Sequence, residues 1–294
     1  MIERLCLIGV GLIGGSLARA IRRAGWCKHI VGVDADAAVL QRAQVLGVID
    51  QGCTDVAEGA RRADVVLIAV PVQAMEAVLS ALKPVWNPQT VYTDVGSTKL
   101  SVVEAAQRVF GSVPGNFVPG HPIAGAELSG VDAAQPDLFR GKRVILTPLP
   151  ETQPAALHLV AQLWQCAGAE VAEMEPARHD QVLAATSHLP HVTAFALVDC
   201  LGREDETEAI FRYAAGGFRD FTRIASSDPV MWRDICLANR GPILARIQSL
   251  RQELADLAAL IEAGEGTALL QRFQRARQAR QRFLAMFENN HNAQ

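Results

Sequence analysis

The chain has 294 residues, half of them hydrophobic and a fifth charged, so it can bury a large core and is not intrinsically disordered. This length predicts two domains that share a cleft, with a single large α/β barrel as an alternative. The 28 basic and 31 acidic side chains give a formal charge of −3, which fits a small-molecule partner better than nucleic acid or a membrane surface.

A glycine-rich turn follows the first predicted strand, Leu5–Ile8. Gly9, Gly11 and Gly14 match the pattern G-x-G-x-x-G, after a strand and at the start of a helix. The first glycine allows the tight turn, the second lets the main chain approach a pyrophosphate, and the third permits close packing of helix on strand. The first helical turn, Leu12-Ile13, adds free N–H donors and a partial positive charge. This register favours a dinucleotide site over a signal peptide.

An acidic residue ends the second predicted strand, Ile30–Val33. Asp34 lies 20 residues past Gly14, the spacing at which a carboxylate accepts hydrogen bonds from the adenosine ribose. A carboxylate also repels a 2′-phosphate, so the predicted cofactor is NAD rather than NADP. The alternative role for Asp34 is to cap the next helix, a position that Asp36 can fill equally well.

Short apolar runs alternate with helix-like segments up to about residue 174, a pattern that builds a parallel sheet from βαβ units. We predict an α/β fold whose first domain, residues 1–174, is a Rossmann-type doubly wound, mostly parallel sheet. Val70 and Pro71 end a buried strand, where they either line the nicotinamide side of the cofactor path or only end the strand. The further strands are predicted at Val65–Val70, Val91–Asp94, Asn116–Gly120, Val144–Thr147 and Glu170–Met174, with helices at Ser16–Ala24, Ala37–Leu46 and Ala155–Ala167.

Polar residues follow two later strands of this domain. Ser97 and Thr98 follow one strand, where either can cap a helix and a hydroxyl can also orient a catalytic base. His121 follows the other strand, and Pro122 holds it extended. A lone histidine is more often structural, but this rigid frame favours a general base that takes a hydroxyl proton during hydride transfer.

From residue 175 to residue 294 the pattern predicts an all-helical domain, with helices over 177–201, 206–214, 229–262 and 266–288. Pro190 interrupts the first of these, so that a kink could turn His188 and His191 toward a cleft. The last helix carries apolar residues near one face, which is typical of a helix packed on its own or a partner subunit. These residues are Leu270, Phe273, Ala276, Phe283 and Phe287.

Two arginines of the helical domain have the forked donors that suit a carboxylate, Arg219 and Arg223. Asp220 could hold one of them in place. The alternative is a surface ion pair, which we favour for Arg219 but not for Arg223, because Arg223 has apolar neighbours in the sequence.

The order of these motifs resembles the prephenate/arogenate dehydrogenases of tyrosine biosynthesis, nearly from end to end. The resemblance implies hydride transfer from ring carbon C4 to NAD+ with loss of the C1 carboxylate, so that prephenate gives 4-hydroxyphenylpyruvate or arogenate gives tyrosine, without a metal. The motifs are G-x-G-x-x-G, Gly-Ser-Thr-Lys at 96–99, His-Pro-Ile-Ala-Gly at 121–125, Ser-His-Leu-Pro-His at 187–191 and Gly-Phe-Arg-Asp-Phe-Thr-Arg-Ile-Ala at 217–225.

The resemblance also implies roles for single residues. His121 matches the family's general base at the C4 hydroxyl, Ser97 its hydrogen-bonding partner, and Arg223 the arginine that binds a substrate carboxylate. A homodimer formed through the helical domain is implied as well. The positions near cofactor and substrate, or supporting them, are His188, His191, Asp220 and Trp232.

Several alternatives stay open from the sequence alone. A dehydrogenase of the β-hydroxy-acid group is the nearest rival, because residues 94–98 resemble its substrate-binding strand end. A non-catalytic NAD-binding sensor is the rival from another class. The choice between prephenate and arogenate is not fixed. Six cysteines without metal or redox spacing are interpreted as buried thiols of a cytoplasmic protein.

Overall fold

The computed structural model describes residues 1–125, 128–204 and 207–292, without the side chains of residues 207 and 287–292. The chain forms two compact units, Met1–Pro242 and Ile243–Gln294. The predicted division between residues 174 and 175 is therefore not the division between these units, and it stays a prediction about domains.

A six-stranded parallel sheet forms the centre of the first unit, with the strand order β3-β2-β1-β4-β5-β6. Such an order, in which the chain starts in the middle and builds outward in both directions, is that of a Rossmann fold, as predicted. It is an open sheet and not a barrel. The short edge strand β3 was not predicted, because three half-exposed residues give little apolar signal. The strands are β1 Ile2–Ile8, β2 Cys27–Val33, β3 Gln51–Cys53, β4 Val65–Ile68, β5 Val91–Asp94 and β6 Phe117–Val118.

Helices cover both faces of this sheet, because successive side chains of its central strands alternate between two cores. Leu5 and Leu7 point into one core with helices α1 and α6, and Cys6 and Ile8 into the other with helices α4 and α5. The helices of this part are α1 Leu12–Arg23, α2 Ala37–Val45, α3 Val56–Ala60, α4 Met75–Leu82, α5 Leu100–Phe110 and α6 Pro154–Cys166.

A second, three-stranded sheet begins just after Pro119. The sequence predicted one strand over Asn116–Gly120, which is wrong, because proline has no N–H for a ladder and the chain changes sheets there. In the second sheet β7 runs antiparallel to β8, and β8 runs parallel to β9. Its strands are β7 Gly120–Pro122, β8 Arg143–Leu146 and β9 Glu170–Glu173.

The chain after Glu173 is helical throughout the part that the structure describes, as predicted. The predicted helix over 229–262 divides at Asn239, and a helix at Gly216–Thr222 was not predicted because two adjacent glycines disfavour helix. The elements are α7 Pro176–Leu183, a π-helical turn at Ala184–His188, α8 Leu189–Gly202, α9 Thr207–Arg212, α10 Gly216–Thr222, α11 Pro229–Ala238, α12 Arg240–Glu262 and α13 Gly266–Asn292.

The second unit consists of most of α12 together with α13. Arg272 bridges the two helices, with its guanidinium 3.0 Å from a carboxylate oxygen of Glu253. The apolar residues predicted for one face of α13 include Leu270, Phe273 and Phe283, each more than half exposed in the single chain. The side chain of Phe287 lies outside the described residues. No described helix is long and apolar enough to cross a membrane.

Candidate active site

The glycine turn has the geometry that the sequence predicted. Gly9 has a φ of +91°, and a Cβ there would lie 2.3 Å from the carbonyl oxygen of Ala69. A Cβ on Gly14 would lie 2.6 Å from the Leu7 side chain, so this glycine allows α1 to pack closely on the sheet. In contrast, nothing described lies within 4 Å of a Cβ built on Gly11, which caps α1. The space above Gly11 fits a pyrophosphate held by the N–H groups of the first helical turn, Leu12-Ile13.

Asp34 lies half-buried at the carboxyl end of β2. One of its carboxylate oxygens accepts a hydrogen bond from the Val10 N–H at 3.0 Å, and the other accepts one from the Asp36 N–H at 3.1 Å. Asp36 is the residue that caps α2. The carboxylate of Asp34 therefore braces the glycine turn and, with further lone pairs available, can also accept from ribose hydroxyls.

Val70 and Pro71 follow the end of β4, which stops at Ile68 instead of the predicted Val70. A methyl carbon of Val70 would lie 3.2 Å from a Cβ on Gly9, so this segment borders the glycine turn. Pro71 is exposed and precedes a short 3₁₀ turn. Their predicted part in cofactor binding remains a prediction.

A buried ion pair fixes the backbone just before His121. Lys99 Nζ donates to a carboxylate oxygen of Asp94 and, at 2.7 Å, to the carbonyl oxygen of Gly120. The other Asp94 oxygen accepts the Gly120 N–H at 3.1 Å. Both charged groups are fully buried, and burial lowers the pKa of Lys99 although Asp94 opposes that shift. The pair therefore holds both backbone groups of Gly120 and sets the position from which His121 extends.

His121 lies within β7 and is half-buried. Its Nδ1 is 2.9 Å from Nε2 of His179, whose Nδ1 is 2.8 Å from a carboxylate oxygen of Asp180. Ser97, the predicted partner of His121, makes no hydrogen bond to it in the described part of the chain. The structure thus brings His121 together with a histidine and an aspartate of α7 that the sequence analysis did not identify.

The carboxylate of Asp180 also caps α5 from outside that helix. Its oxygens accept the N–H groups of Lys99 at 2.8 Å and Leu100 at 3.0 Å. The alternative that Ser97 or Thr98 caps this helix is wrong, since Thr98 shares a hydrogen bond with the Ser101 hydroxyl instead. The Asp180 side chain therefore connects the start of α5 to His179 and, through it, to His121.

The segment around Pro190 forms a wide turn and not a simple kink. Residues 184–188 are π-helical, with the Leu189 N–H bonded to the carbonyl oxygen of Ala184 five residues earlier. Such turns within a helix are frequent at functional sites. His188 is buried there, and its Nδ1 lies 3.0 Å from the amide nitrogen of Asn239.

His191 and Trp232 stack face to face, with ring centroids 3.8 Å apart, and His188 meets the same indole edge-on. His191 Nδ1 donates to the carbonyl oxygen of Ser187 at 2.9 Å. The buried Nε1 of Trp232 has no hydrogen-bond partner among the described residues. The structure therefore brings three predicted residues together from α8, the π turn and α11, and one of them contributes a buried donor.

Arg223 and Asp220 differ in their surroundings. Arg223 begins the 3₁₀ turn Arg223–Ser226, which packs against α8, the helix that carries His191. Burial lowers the pKa of His191, and the guanidinium of Arg223 lowers it further. Asp220 is exposed and lies 3.5 Å from the guanidinium of Arg219, the surface pair that the sequence favoured for Arg219. The fold therefore places the turn of Arg223 beside the helix of His191, whereas Asp220 lies exposed on α10.

The three neighbouring imidazoles of His121, His179 and His188, called here the histidine cluster, all have lowered pKa values. Burial lowers the pKa of His121 well below 6.5, and His179, Lys99 and His188 lower it further. Burial also lowers the pKa of His179, against the opposing effect of Asp180, and lowers that of His188 to about 4. These imidazoles are therefore neutral at neutral pH, the state in which an imidazole can accept a proton. In the described chain no cluster of His, Cys, Asp and Glu could hold a metal ion.

Comparisons with known proteins agree with the motifs. The family model described as prephenate dehydrogenase, nucleotide-binding domain, matches residues 17–173, and the model described as prephenate dehydrogenase, dimerization domain, matches residues 175–275. The chain belongs to the prephenate dehydrogenase family. It is 38% identical to the cyclohexadienyl dehydrogenase of Zymomonas mobilis over 95% of both chains. It is 39% identical to the prephenate dehydrogenase of Bacillus subtilis over 95% of this chain and 76% of that one.

Solved structures of this family share the fold. Prephenate dehydrogenase of Aquifex aeolicus, in complex with hydroxyphenyl propionate and NAD+, has a TM-score of 0.90 at 37% identity, covering 96% of this chain and 99% of that one. Arogenate dehydrogenase of Synechocystis has a TM-score of 0.81 at 28% identity, covering 96% and 100%. This member of the family is thus an NAD-dependent oxidoreductase, as predicted.

Sequence reasoning missed five residues that the structure places in or beside the site. Lys99 stood in a quoted motif without a role, and Asn239 looked like a helix residue. The only available signal for His179 and Asp180 was two adjacent titratable residues near the start of the predicted helix over 177–201, and it did not indicate their partners. The five residues are Asp94, Lys99, His179, Asp180 and Asn239.

The interpretation of the cysteines needs a correction. Cys6 and Cys27 are buried, and burial raises the pKa of the Cys6 thiol to about 12. Cys200, however, is exposed on α8, where a helix surface leaves it open to solvent. All six thiols are free.

Proposed function

We propose that this chain catalyses the NAD-dependent oxidative decarboxylation of prephenate, arogenate or both. The observation that carries the proposal is the contact of His121, whose Nδ1 is held 2.9 Å from Nε2 of His179, while burial lowers the pKa of this imidazole well below 6.5. Its Nε2 has no hydrogen-bond partner in the described part of the chain. His121 lies three residues past the carboxyl end of β6, a strand of the sheet whose β1 leads into the dinucleotide turn. A base at this place fits a reaction that removes a hydroxyl proton as a hydride leaves.

The chemistry of the reaction balances without a metal. NAD+ accepts the hydride from C4. As the C4–H bond breaks, His121 Nε2 takes up the C4 hydroxyl proton, and the electrons of the C1–carboxylate bond move into the ring as CO₂ leaves. The aromatic phenolate oxygen then takes the proton back from His121. Because aromatisation makes loss of CO₂ favourable, the protein mainly has to position the substrate and supply the base.

Arg223 is proposed to bind a substrate carboxylate. A guanidinium forms two parallel hydrogen bonds with a carboxylate, and the turn that begins at Arg223 packs against α8, where His191 stacks on Trp232. Ser97, at the start of the α5 segment, is proposed to donate to the substrate rather than to hold His121. Asp220 is proposed only to support the segment that carries Arg223.

We further propose a homodimer formed through the helical part of the chain. The support is the exposed apolar residues of α13 and the match of residues 175–275 to a dimerization domain. Exposed apolar residues in a row are typical of a surface that another subunit covers.

Steady-state kinetics with prephenate and arogenate, each with NAD+ and with NADP+, test the proposed function. We expect reduction of NAD+ with at least one of the two substrates, and weak use of NADP+ because Asp34 repels a 2′-phosphate. Absence of turnover with both substrates in protein that binds NAD+ would contradict the proposal and favour a non-catalytic sensor. Equal use of NADP+ would contradict the role of Asp34.

A further inference from the structure

Two histidines of the site are linked to one residue, Asp180, by different atoms. His121 reaches its carboxylate through His179, with distances of 2.9 and 2.8 Å. His188 reaches its backbone carbonyl oxygen through the side-chain amide of Asn239, with distances of 3.0 and 2.8 Å. The donors and acceptors along each chain of contacts decide which ring nitrogen carries the proton.

The first chain begins at the carboxylate. Burial raises the pKa of Asp180, but hydrogen bonds from His179 and from two backbone N–H groups outweigh this and lower the pKa overall. The ionised group can only accept, so His179 Nδ1 carries a proton. Because burial keeps His179 neutral, its Nε2 has a lone pair. That lone pair can accept only from a protonated Nδ1 of His121, which leaves Nε2 of His121 as the basic atom.

The second chain begins at the carbonyl oxygen. A carbonyl oxygen can only accept, so the atom of Asn239 that faces Asp180 is its amide nitrogen. The second hydrogen of that NH₂ group points to Nδ1 of His188, which must then be an acceptor. Burial, which lowers the pKa of His188 to about 4, leaves this ring with a single proton. That proton is on Nε2.

We propose that Asp180 sets opposite tautomers in the two histidines, through His179 and Asn239 as positioning residues. His121 presents a lone pair at Nε2 to the substrate hydroxyl, and His188 presents an N–H at Nε2 to an oxygen acceptor of the bound ligand. This inference rests on the proposed role of His121 as the base. It explains how two neutral histidines have different roles, His121 as a base and His188 as a hydrogen-bond donor.

Nitrogen NMR of the full-length protein labelled with ¹⁵N-histidine tests the tautomers directly, because protonated and unprotonated ring nitrogens have different shifts. Signals are assigned by their loss in His121→Asn and His188→Asn. We expect a protonated Nδ1 in His121 and a protonated Nε2 in His188. His179→Leu should alter the tautomer of His121 alone, and Asn239→Leu that of His188 alone, so each variant is the control for the other.

Kinetics of the same variants separate positioning from structure. His179→Leu should lower kcat about 10- to 100-fold with KM for substrate largely unchanged, a smaller loss than removal of the base itself. His179→Gln, whose amide oxygen can accept from His121, should restore part of kcat. His158→Gln, on an exposed surface, should behave like the unaltered enzyme in both measurements.

Two results would overturn the inference. One is a proton on Nε2 of His121 in the unaltered protein, which can be read even if His179→Leu does not fold. The other is a folded His179→Leu with normal kcat and an unchanged His121 tautomer. Normal turnover in His121→Asn is a different failure, because it removes the proposed base while the tautomers remain measurable.

Discussion

At the scale of the residue, the protonation of His121 sets the acidic limit of activity. The base must be neutral, and burial with the nearby His179, Lys99 and His188 holds the pKa of His121 well below 6.5. We therefore expect kcat/KM to persist as the pH falls through 6.5 and to decline only at lower pH, below the range that an ordinary histidine predicts. His121→Asn should lose about 10²- to 10⁴-fold in kcat and the acidic limb, with NAD+ affinity intact. An acidic limb retained in this variant would place the base elsewhere.

For Arg223 we expect an effect on KM rather than on kcat, because its proposed contact with the substrate exists already in the ground state. Arg223→Ala should raise KM for substrate about 10- to 100-fold, the effect of losing a charged hydrogen bond of about 1.5–3 kcal/mol, with NAD+ binding little changed. Arg203→Ala is the matched control, since Arg203 is exposed and, among the described residues, its guanidinium pairs with Asp199 one turn earlier. If both variants had the same KM, Arg223 would have no substrate contact.

Single residues were predicted well where one motif carries both the residue and its reason. Gly9, Gly11 and Gly14 are neighbours in the chain, so their roles could be derived from spacing. The partner of His121 could not, because His179 lies 58 positions away and meets it only in the folded chain. A hydrogen bond across such a separation leaves no pattern in a single sequence.

At the scale of the element, two glycines of the same turn are expected to have different roles, Gly9 in stability and Gly11 in NAD+ binding. Gly9→Ala would bring a Cβ to 2.3 Å from a backbone oxygen at a φ of +91°, so it should destabilise the protein by about 1–3 kcal/mol or more. Gly11→Ala meets nothing described within 4 Å and should keep its melting temperature, while the Kd for NAD+ rises at least about tenfold. Thermal unfolding and NAD+ titration of both variants check this. Unimpaired NAD+ binding by Gly11→Ala would contradict the proposed pyrophosphate position.

Helices and strands were predicted correctly where one hydrophobic pattern dominates the segment. They were missed where a proline or glycine acts against that pattern or against packing. The central parallel strands β1, β2 and β4 have runs of buried residues, so their positions could be derived from hydrophobicity. The strand around residue 119 divided in two, because the pattern is apolar throughout but Pro119 has no N–H for pairing. Helix α10 begins with two glycines, whose low helix propensity hid it although tertiary packing forms the helix.

At the scale of the whole molecule, the exposed apolar residues of α13 predict self-association. One chain has a mass of 31.6 kDa, and light scattering should give about twice that value. Phe273→Asp should shift the mass toward one chain, because a charge in an apolar interface is strongly unfavourable. Gln274→Glu, a polar change at the neighbouring exposed position, should leave the mass unchanged. A single-chain mass for the unaltered protein would rule out the dimer.

Because Asp180 caps α5, hydrogen exchange at two backbone amides of this helix start can report on the active site. The N–H protons of Lys99 and Leu100 can exchange with deuterium only when this carboxylate releases them. Any ligand that steadies His121 and His179 should, by linkage, slow exchange at these two amides. Mass spectrometry of the peptide containing residues 99–100, with and without substrate but without NAD+, would then report how well ordered His121 and His179 are in an enzyme that is not turning over. Unchanged exchange on substrate binding would mean that the helix cap and the histidines respond independently.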